Sequence, residues 1–370
     1  MSYFNEIGLT MPSETNPAEF YLDLINADLA KAGDDVFDRI DHITTCWTSG
    51  ARQQKLIQQI DASIFVSEEK SGAPDLSKLK TVQPSPWLVP WVLLQRSWVK
   101  AYRDPIAYKI RVIMYLGLAI LMGTVFLRLK STQDYIQPYI NAIFFGSAFM
   151  SFMAVAYVPA FLEDEATFTK ERANGLVGPL AFMLANFIIG LPFLFGFTVL
   201  FSLIEYFMTN FRMNGGGFFM YAMWLFLDLV AAESLVVLVS AIFPVFVISL
   251  AVTAFLNGLW MCVDGFLVPM NVLNPFWKYV FHYIDYQAYV FQGMMVNELK
   301  SRVFTCGQVN GRLQCNYASD LNAEGKIDGP AILQSLSIPL GQEKRWIGYL
   351  IAIILVHRIL AYIVLVFKRT

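Results

Sequence analysis

Residues 218–243 read FFMYAMWLFLDLVAAESLVVLVSAIF, and across a single Pro244 residues 245–270 read VFVISLAVTAFLNGLWMCVDGFLVPM. A helix rises 1.5 Å per residue, so about 20 apolar residues cross about 30 Å of hydrocarbon. Both stretches exceed that length and carry no Lys or Arg. They are continuously apolar rather than alternating, which selects helices over barrel strands. Working outward, four further blocks of this kind lie at 110–129, 138–162, 177–208 and 346–367. The expected fold class is therefore all-α: a membrane protein with six transmembrane helices.

Composition agrees. The 370 residues are 56% hydrophobic and 15% charged, against about 45–50% and about 25% in soluble chains. A formal charge of −2 excludes the basic face of a nucleic-acid binder, and four Cys exclude a disulfide-dense scaffold. No G-x-x-x-x-G-K-[ST], H-E-x-x-H, C-x-x-C or G-x-S-x-G occurs, and His42, His282 and His357 lack ligand spacing. No catalytic residue, metal set or cofactor is expected on the chain itself.

Orientation follows from Lys and Arg near the span ends. Lys100, Arg103, Lys109 and Arg111 open the first block, Lys170 and Arg172 follow the second, and Lys368 and Arg369 follow the sixth. The opposite side holds Arg128, Lys130 and Arg212. Both termini and the 163–176 joint should be cytosolic, and 271–345 an external loop. Pro159 and Pro192 should kink their helices. Upstream, 84–105 interleaves Trp87, Trp91, Trp98 and Tyr102 with Arg96, Lys100 and Arg103. That pattern suits a helix in the headgroup layer, or a soluble amphipathic one.

Four short motifs then stand in order. Residues 16–25 read NPAEFYLDLI, preceded by Tyr3-Phe4 and Ile7-Gly8. Leu94-Gln95-Arg96 with Tyr102-Arg103-Asp104-Pro105 follows, then Glu171-Arg172-Ala173-Asn174-Gly175. Last come 286–293, YQAYVFQG, and Asn297-Glu298. Together they resemble the membrane half of G-subfamily (White-type) ABC transporters, of the ABC-2 type. In that family they are the segment after the nucleotide-binding domain, the connecting helix, the first intracellular loop and an external re-entrant segment. The resemblance implies a cytosolic linker over 1–83, a connecting helix over 84–108 and a six-helix transmembrane domain over 109–370. Family members carry an ATP-binding domain upstream. The expectation is that this is a piece of such a half-transporter, or that it borrows a nucleotide-binding subunit; ATP and Mg would be held there. It further implies a homodimer or heterodimer with another half-transporter, contact with membrane lipids, a plasma-membrane location, and ATP-driven export of lipids, sterols or drug-like compounds. The competing class is an ATP-independent channel or structural membrane protein.

Candidate site residues follow. In the 163–175 joint, Glu163, Phe168, Lys170, Glu171 and Arg172 suit either a solvated loop or, as the resemblance implies, a short coupling helix ended by Gly175. Asp228 and Glu233 lie in an apolar block, where a charge costs about 2.5–3.5 kcal/mol or more. Arg358, midway along the last block, is their candidate partner in a polar relay; structural hydrogen bonding is the alternative. The resemblance implies a substrate cavity at Phe149, Phe152, Asn257 and Met261 and an exit plug at Phe266 and Leu267. By composition alone those residues read as core or lipid-facing. Cys306 and Cys315 stand close together in the expected external loop, so an intraloop disulfide is expected, with an intermolecular bridge the alternative.

Overall fold

The computed structural model describes residues 2–12, 16–26, 35–69, 88–103, 108–309 and 312–368. The chain divides into two compact units, Met1–Gln83 and Pro84–Thr370.

The first unit consists, among the described residues, of α1 (Ser2–Glu6), α2 (Pro17–Ile25), α3 (Asp35–Thr48) and α4 (Ala51–Glu69). Asn16 caps α2: its side-chain oxygen accepts from the Ala18 N–H at 3.0 Å, and Pro17 fills the first helical position, where no N–H is needed. An aromatic knot holds the unit. Phe4 stacks on Tyr21 at 4.5 Å, Tyr3 meets Trp47 edge-on at 5.3 Å, and the Tyr3 hydroxyl donates to the Ile43 carbonyl at 2.8 Å.

The second unit opens with α5 (Leu88–Arg103); Pro84, Trp87, Asp104 and Pro105 of the expected connecting helix lie outside the described residues. Then come α6 (Ile110–Val125), α7 (Ile136–Met153), α8 (Val158–Ala173), α9 (Pro179–Thr209), α10 (Gly215–Ile242) and α11 (Phe246–Val263). After these follow α12 (Tyr286–Leu299), four short strands, α13 (Gly329–Ser335) and α14 (Glu343–Phe367). Among the described residues, five helical segments are long and apolar enough to cross a membrane. The first expected span is shorter than its block: α6 has 16 residues. Beyond Val125 the chain leaves the helix because the Arg128 and Leu129 N–H groups donate to Met208 and Thr209 carbonyls at the end of α9.

The second expected span does not end at residue 162. A 3₁₀ turn, Ala154–Tyr157, joins α7 to α8, so Gln133–Ala173 is one helical rod of 41 residues. The expected separate coupling helix is thus the polar end of that rod. Pro159 sits in the first turn of α8, where its missing N–H breaks no helical bond, and Pro192 lies inside α9. Gly175 follows with φ +70°, a left-handed position that stops the rod.

At the centre stands α10, apolar on every side and packed against α7, α8, α9, α12 and α14. The expected 271–345 loop is not all loop. Its α12 inserts between α7, α10 and α14 and buries most of its side chains. Gly293 allows this approach: a Cβ there would lie 2.4 Å from the Trp224 ring of α10. The rest forms a small cap. Strand β1 (Val303–Thr305) pairs antiparallel with β4 (Lys326–Asp328), putting Phe304 opposite Ile327. Strands β2 (Gly307–Val309) and β3 (Arg312–Gln314) pair as a hairpin, and a disulfide joins Cys306 to Cys315.

Replacing Gly293 by Ala forces a methyl against the rigid indole. Thermal unfolding of the purified protein in detergent should show a loss of about 1–3 kcal/mol; an unchanged Tm would mean α12 does not seat against α10.

Candidate functional site

Three groups of side chains hold the chemistry of the bundle. The first lies at the polar end of the α7–α8 rod. Lys100 of α5 bonds Asp164 at 2.8 Å and Glu163 at 3.1 Å, and Arg96, one turn earlier, pairs with Glu171. Partial burial disfavours the Lys100 ammonium, but the hydrogen bonds and charges of Asp164 and Glu163 outweigh it and hold its pKa above the ordinary value. Arg172 turns the other way. Its guanidinium donates to the Leu365, Val366 (3.0 Å) and Lys368 (3.3 Å) carbonyls, capping the last turn of α14. Lys368 in turn reaches Glu165 at 2.5 Å and the Ala241 carbonyl of α10 at 3.1 Å. Phe168 is buried and stacks on Phe182 of α9 at 4.5 Å. Lys170 and Glu163 are exposed. Of the expected coupling residues, then, Glu163, Glu171 and Arg172 are polar ties, Phe168 is the apolar anchor and Lys170 is free to face solvent. Sequence reasoning missed Glu165, because nothing in its neighbourhood signals a partner at residue 368.

The second group is buried among the spans. Arg111 of α6 donates to Glu233 of α10 at 2.7 Å; both side chains are almost wholly buried, and the guanidinium lies 5.1 Å from the Tyr157 and Phe197 ring centroids. Asp228 accepts from the Ser151 hydroxyl at 2.8 Å. The expected pairing of Arg358 with Asp228 or Glu233 is corrected here: Arg358 donates to Ser234 and to Asn186, each at 3.0 Å. Asn186 donates to the Tyr157 hydroxyl at 2.7 Å, so Tyr157 stands between the Arg111 and Arg358 groups. From sequence Arg111 reads as a topology-setting charge at the opening of the first block, because its depth within the bundle is not a local property. A third buried acid, Glu205 of α9, accepts from Tyr221 at 2.5 Å. Gly146 of α7 leaves room for it, since a Cβ there would meet a Glu205 carboxylate oxygen at 2.6 Å.

The third group is the expected cavity. Phe149, Phe152 and Met261 are half-buried, with Phe149 stacked on Phe145 at 5.7 Å. Phe152 lines a cleft with Met114, Phe246 and Leu250. Asn257 does not open onto that surface. It is fully buried, and its side-chain oxygen accepts from Tyr286 at 2.8 Å and Gln287 at 3.4 Å of α12. At the expected plug Phe266 stacks on Phe144 at 3.9 Å, whereas Leu267 is exposed. The free face of α11 leaves Phe246, Val247, Ile248 and Phe255 uncovered. Such a face suits lipid or another chain.

A family model described as ABC-2 type transporter matches residues 90–299, more than half of the chain, from within α5 to the end of α12. The chain belongs to the ABC-2 type transporter family. It is a multi-pass, membrane-embedded component of a transport protein, and its relatives include G-family ABC transporters. ABC transporter G family member 11 of Arabidopsis thaliana is 26% identical over 98% of this chain and 52% of its own length. ABC transporter G family member 1 of Petunia hybrida is 26% identical over 80% and 47%. Multidrug resistance protein CDR2 of Candida albicans is 25% identical over 83% of this chain and 21% of its own length. The chain spans about half the length of the plant relatives it matches.

The Arg111–Glu233 pair sets a test of the ABC-2 bundle. Removing one partner strands a buried charge, so Arg111→Met or Glu233→Leu alone should destabilise by about 3–5 kcal/mol, while the double variant recovers most of that. Thermal unfolding in detergent measures the cycle; additive losses would show that the two groups act independently.

Proposed function

We propose that this chain is the substrate-conducting portion of an ATP-driven exporter of hydrophobic compounds such as lipids, sterols or drug-like molecules. The observation that carries this reading is the clamp at the polar end of the α7–α8 rod. Arg96 and Lys100 tie that end to α5, and Arg172 and Lys368 tie it to α14 and α10. A displacement applied there is transmitted along a continuous rod through the bundle, because packed helices shift as rigid bodies rather than deform. A nucleotide-binding domain holding ATP and Mg would push on Glu163, Lys170, Glu171 and Arg172 from the cytosolic side, with the N- and C-termini also cytosolic and the plasma membrane as the location. Two copies, or this chain and another half-transporter, would face each other across the uncovered side of α11.

In that arrangement Phe149, Phe152 and Met261 would line the path. Aromatic faces and a flexible thioether suit large, flat, apolar molecules. Phe266 and Leu267 would close the exit. Asn257 would support the path from behind by fixing α12 through Tyr286 and Gln287. Asp228, Glu233, Arg111 and Arg358 would form the relay whose pairings change as the bundle switches. The name of the Candida relative, a multidrug resistance protein, fits the same substrate class.

Flux of a fluorescent hydrophobic compound into proteoliposomes holding the chain joined to a nucleotide-binding domain tests the proposal. Glu171→Lys should lower ATP-driven flux on the order of tenfold, and the charge swap Arg96→Glu/Glu171→Arg should restore it. Thermal stability should move little, since exposed ion pairs contribute about 0–1 kcal/mol. Undiminished flux in Glu171→Lys would remove the clamp from the mechanism, and flux without nucleotide would identify a channel. Asp228→Leu should lower flux with expression and dimer content unchanged; normal flux would dismiss the relay.

A further inference from the structure

Away from the clamp and the α11 face, a broad cleft opens between the segment following α11 and the first turns of α14. One wall carries Lys278, Tyr283 and Tyr289, the other Arg345, Tyr349 and Ile353. We propose that this cleft holds one acidic phospholipid of the bilayer, its phosphate between Lys278 and Arg345 and an acyl chain along Tyr349 and Ile353.

Charge complementarity selects the headgroup. No Asp or Glu lines the cleft. Among the described residues Lys278 forms no ion pair, and Arg345 bonds only the uncharged Gln342 side chain, at 3.0 Å. The nearest acid in sequence, Glu343, faces a different cleft and is engaged with Lys300 at 3.7 Å. Two cations thus share an opening with no counter-charge from the protein. His282 also lines it, but its Nδ1 is used by the Val263 carbonyl at 2.6 Å.

The shape selects a lipid rather than a free anion. From Arg345 to Ile353 the wall descends eight residues along α14, about 12 Å. That is the step from headgroup level into hydrocarbon. Along it the lining changes from guanidinium to tyrosine to aliphatic, and the exposed Val356 and Leu360 continue the same helix face. Tyr289 and Tyr349 pack at 5.3 Å across the two walls, so the boundary between polar and apolar depth is made of amphipathic rings, as at a membrane interface. The buried Trp346 at the base is a built-in reporter.

The full chain in nanodiscs of phosphatidylcholine, doped with phosphatidylglycerol brominated on its chains, gives the test. Trp346 quenching is read as the difference from Trp346→Phe. Half-quenching should occur at a phosphatidylglycerol fraction on the order of tenfold lower than for brominated phosphatidylcholine, as two interfacial cations predict. Lys278→Gln/Arg345→Gln should erase that preference, and Arg345→Lys, which keeps the charge, should retain it. Equal quenching by both lipids would overturn the proposal, as would a preference that survives in the double Gln variant. Release of quenching by soluble glycerophosphate would show a free-anion site instead. Loss of self-association in the double Gln variant with no lipid preference would assign the cleft to a second copy of the chain.

Discussion

Glu233 sits in the middle of an apolar helix, where no water is available to solvate a carboxylate. A charge there is tolerated only if another part of the chain supplies its counter-ion, and Arg111 does so at 2.7 Å. That requirement fixes more than one contact. It ties the start of α6 to α10 through the two side chains, seats the guanidinium near the rings of Tyr157 and Phe197, and so brings the 3₁₀ turn of the α7–α8 rod and the middle of α9 to the same place. Such a pair contributes little net stability compared with an apolar isostere, since desolvation offsets the Coulombic attraction. Its consequence is register: α6, α7, α9 and α10 can satisfy it in one relative arrangement.

The same rule accounts for three more ionisable side chains of the bundle. Glu205 finds Tyr221, Asp228 finds Ser151, and Arg358 finds Ser234 and Asn186. Each of these bonds crosses from one helix to another, and Glu205 with Tyr221 ties α9 to α10. Small residues make the approaches possible, as Gly146 does for Glu205 and Gly293 for Trp224. In hydrocarbon, close packing and such cross-helix bonds replace the hydrophobic drive that assembles soluble cores. The clamp at the polar end of the rod obeys different physics. Its ion pairs are partly solvated and contribute little to stability, so their value lies in direction: they connect the end of one rod to α5, α10 and α14 at once.

Much of the architecture was legible in the sequence, and where the reading failed it failed for identifiable reasons. Apolar runs located the five long apolar helices found among the described residues and the shorter α6, since length and composition are local properties. They misjudged ends, because the exit of the chain from α6 depends on Met208 and Thr209 carbonyls about 80 residues away. They split the α7–α8 rod from its polar tip, although helix propensity does not stop at a membrane boundary. Composition also left α12 inside a loop, since its burial comes from α7, α10 and α14 and not from an apolar run of its own. The motif YQAYVFQG marked the segment, but only its packing shows Tyr286 and Gln287 occupying Asn257.

By itself the sequence determined that this chain enters a membrane several times, which residues are forced into hydrocarbon, and that two neighbouring cysteines are available to each other. Those facts follow from the energy of moving single side chains out of water, which each segment obeys separately. Pairing was left to the tertiary structure: Glu233 to Arg111 rather than Arg358, Asn257 to α12 rather than to an open cavity, and Arg172 to the end of α14. A partner is chosen by distance, and distances between segments 29 to 196 residues apart exist only once the helices have packed.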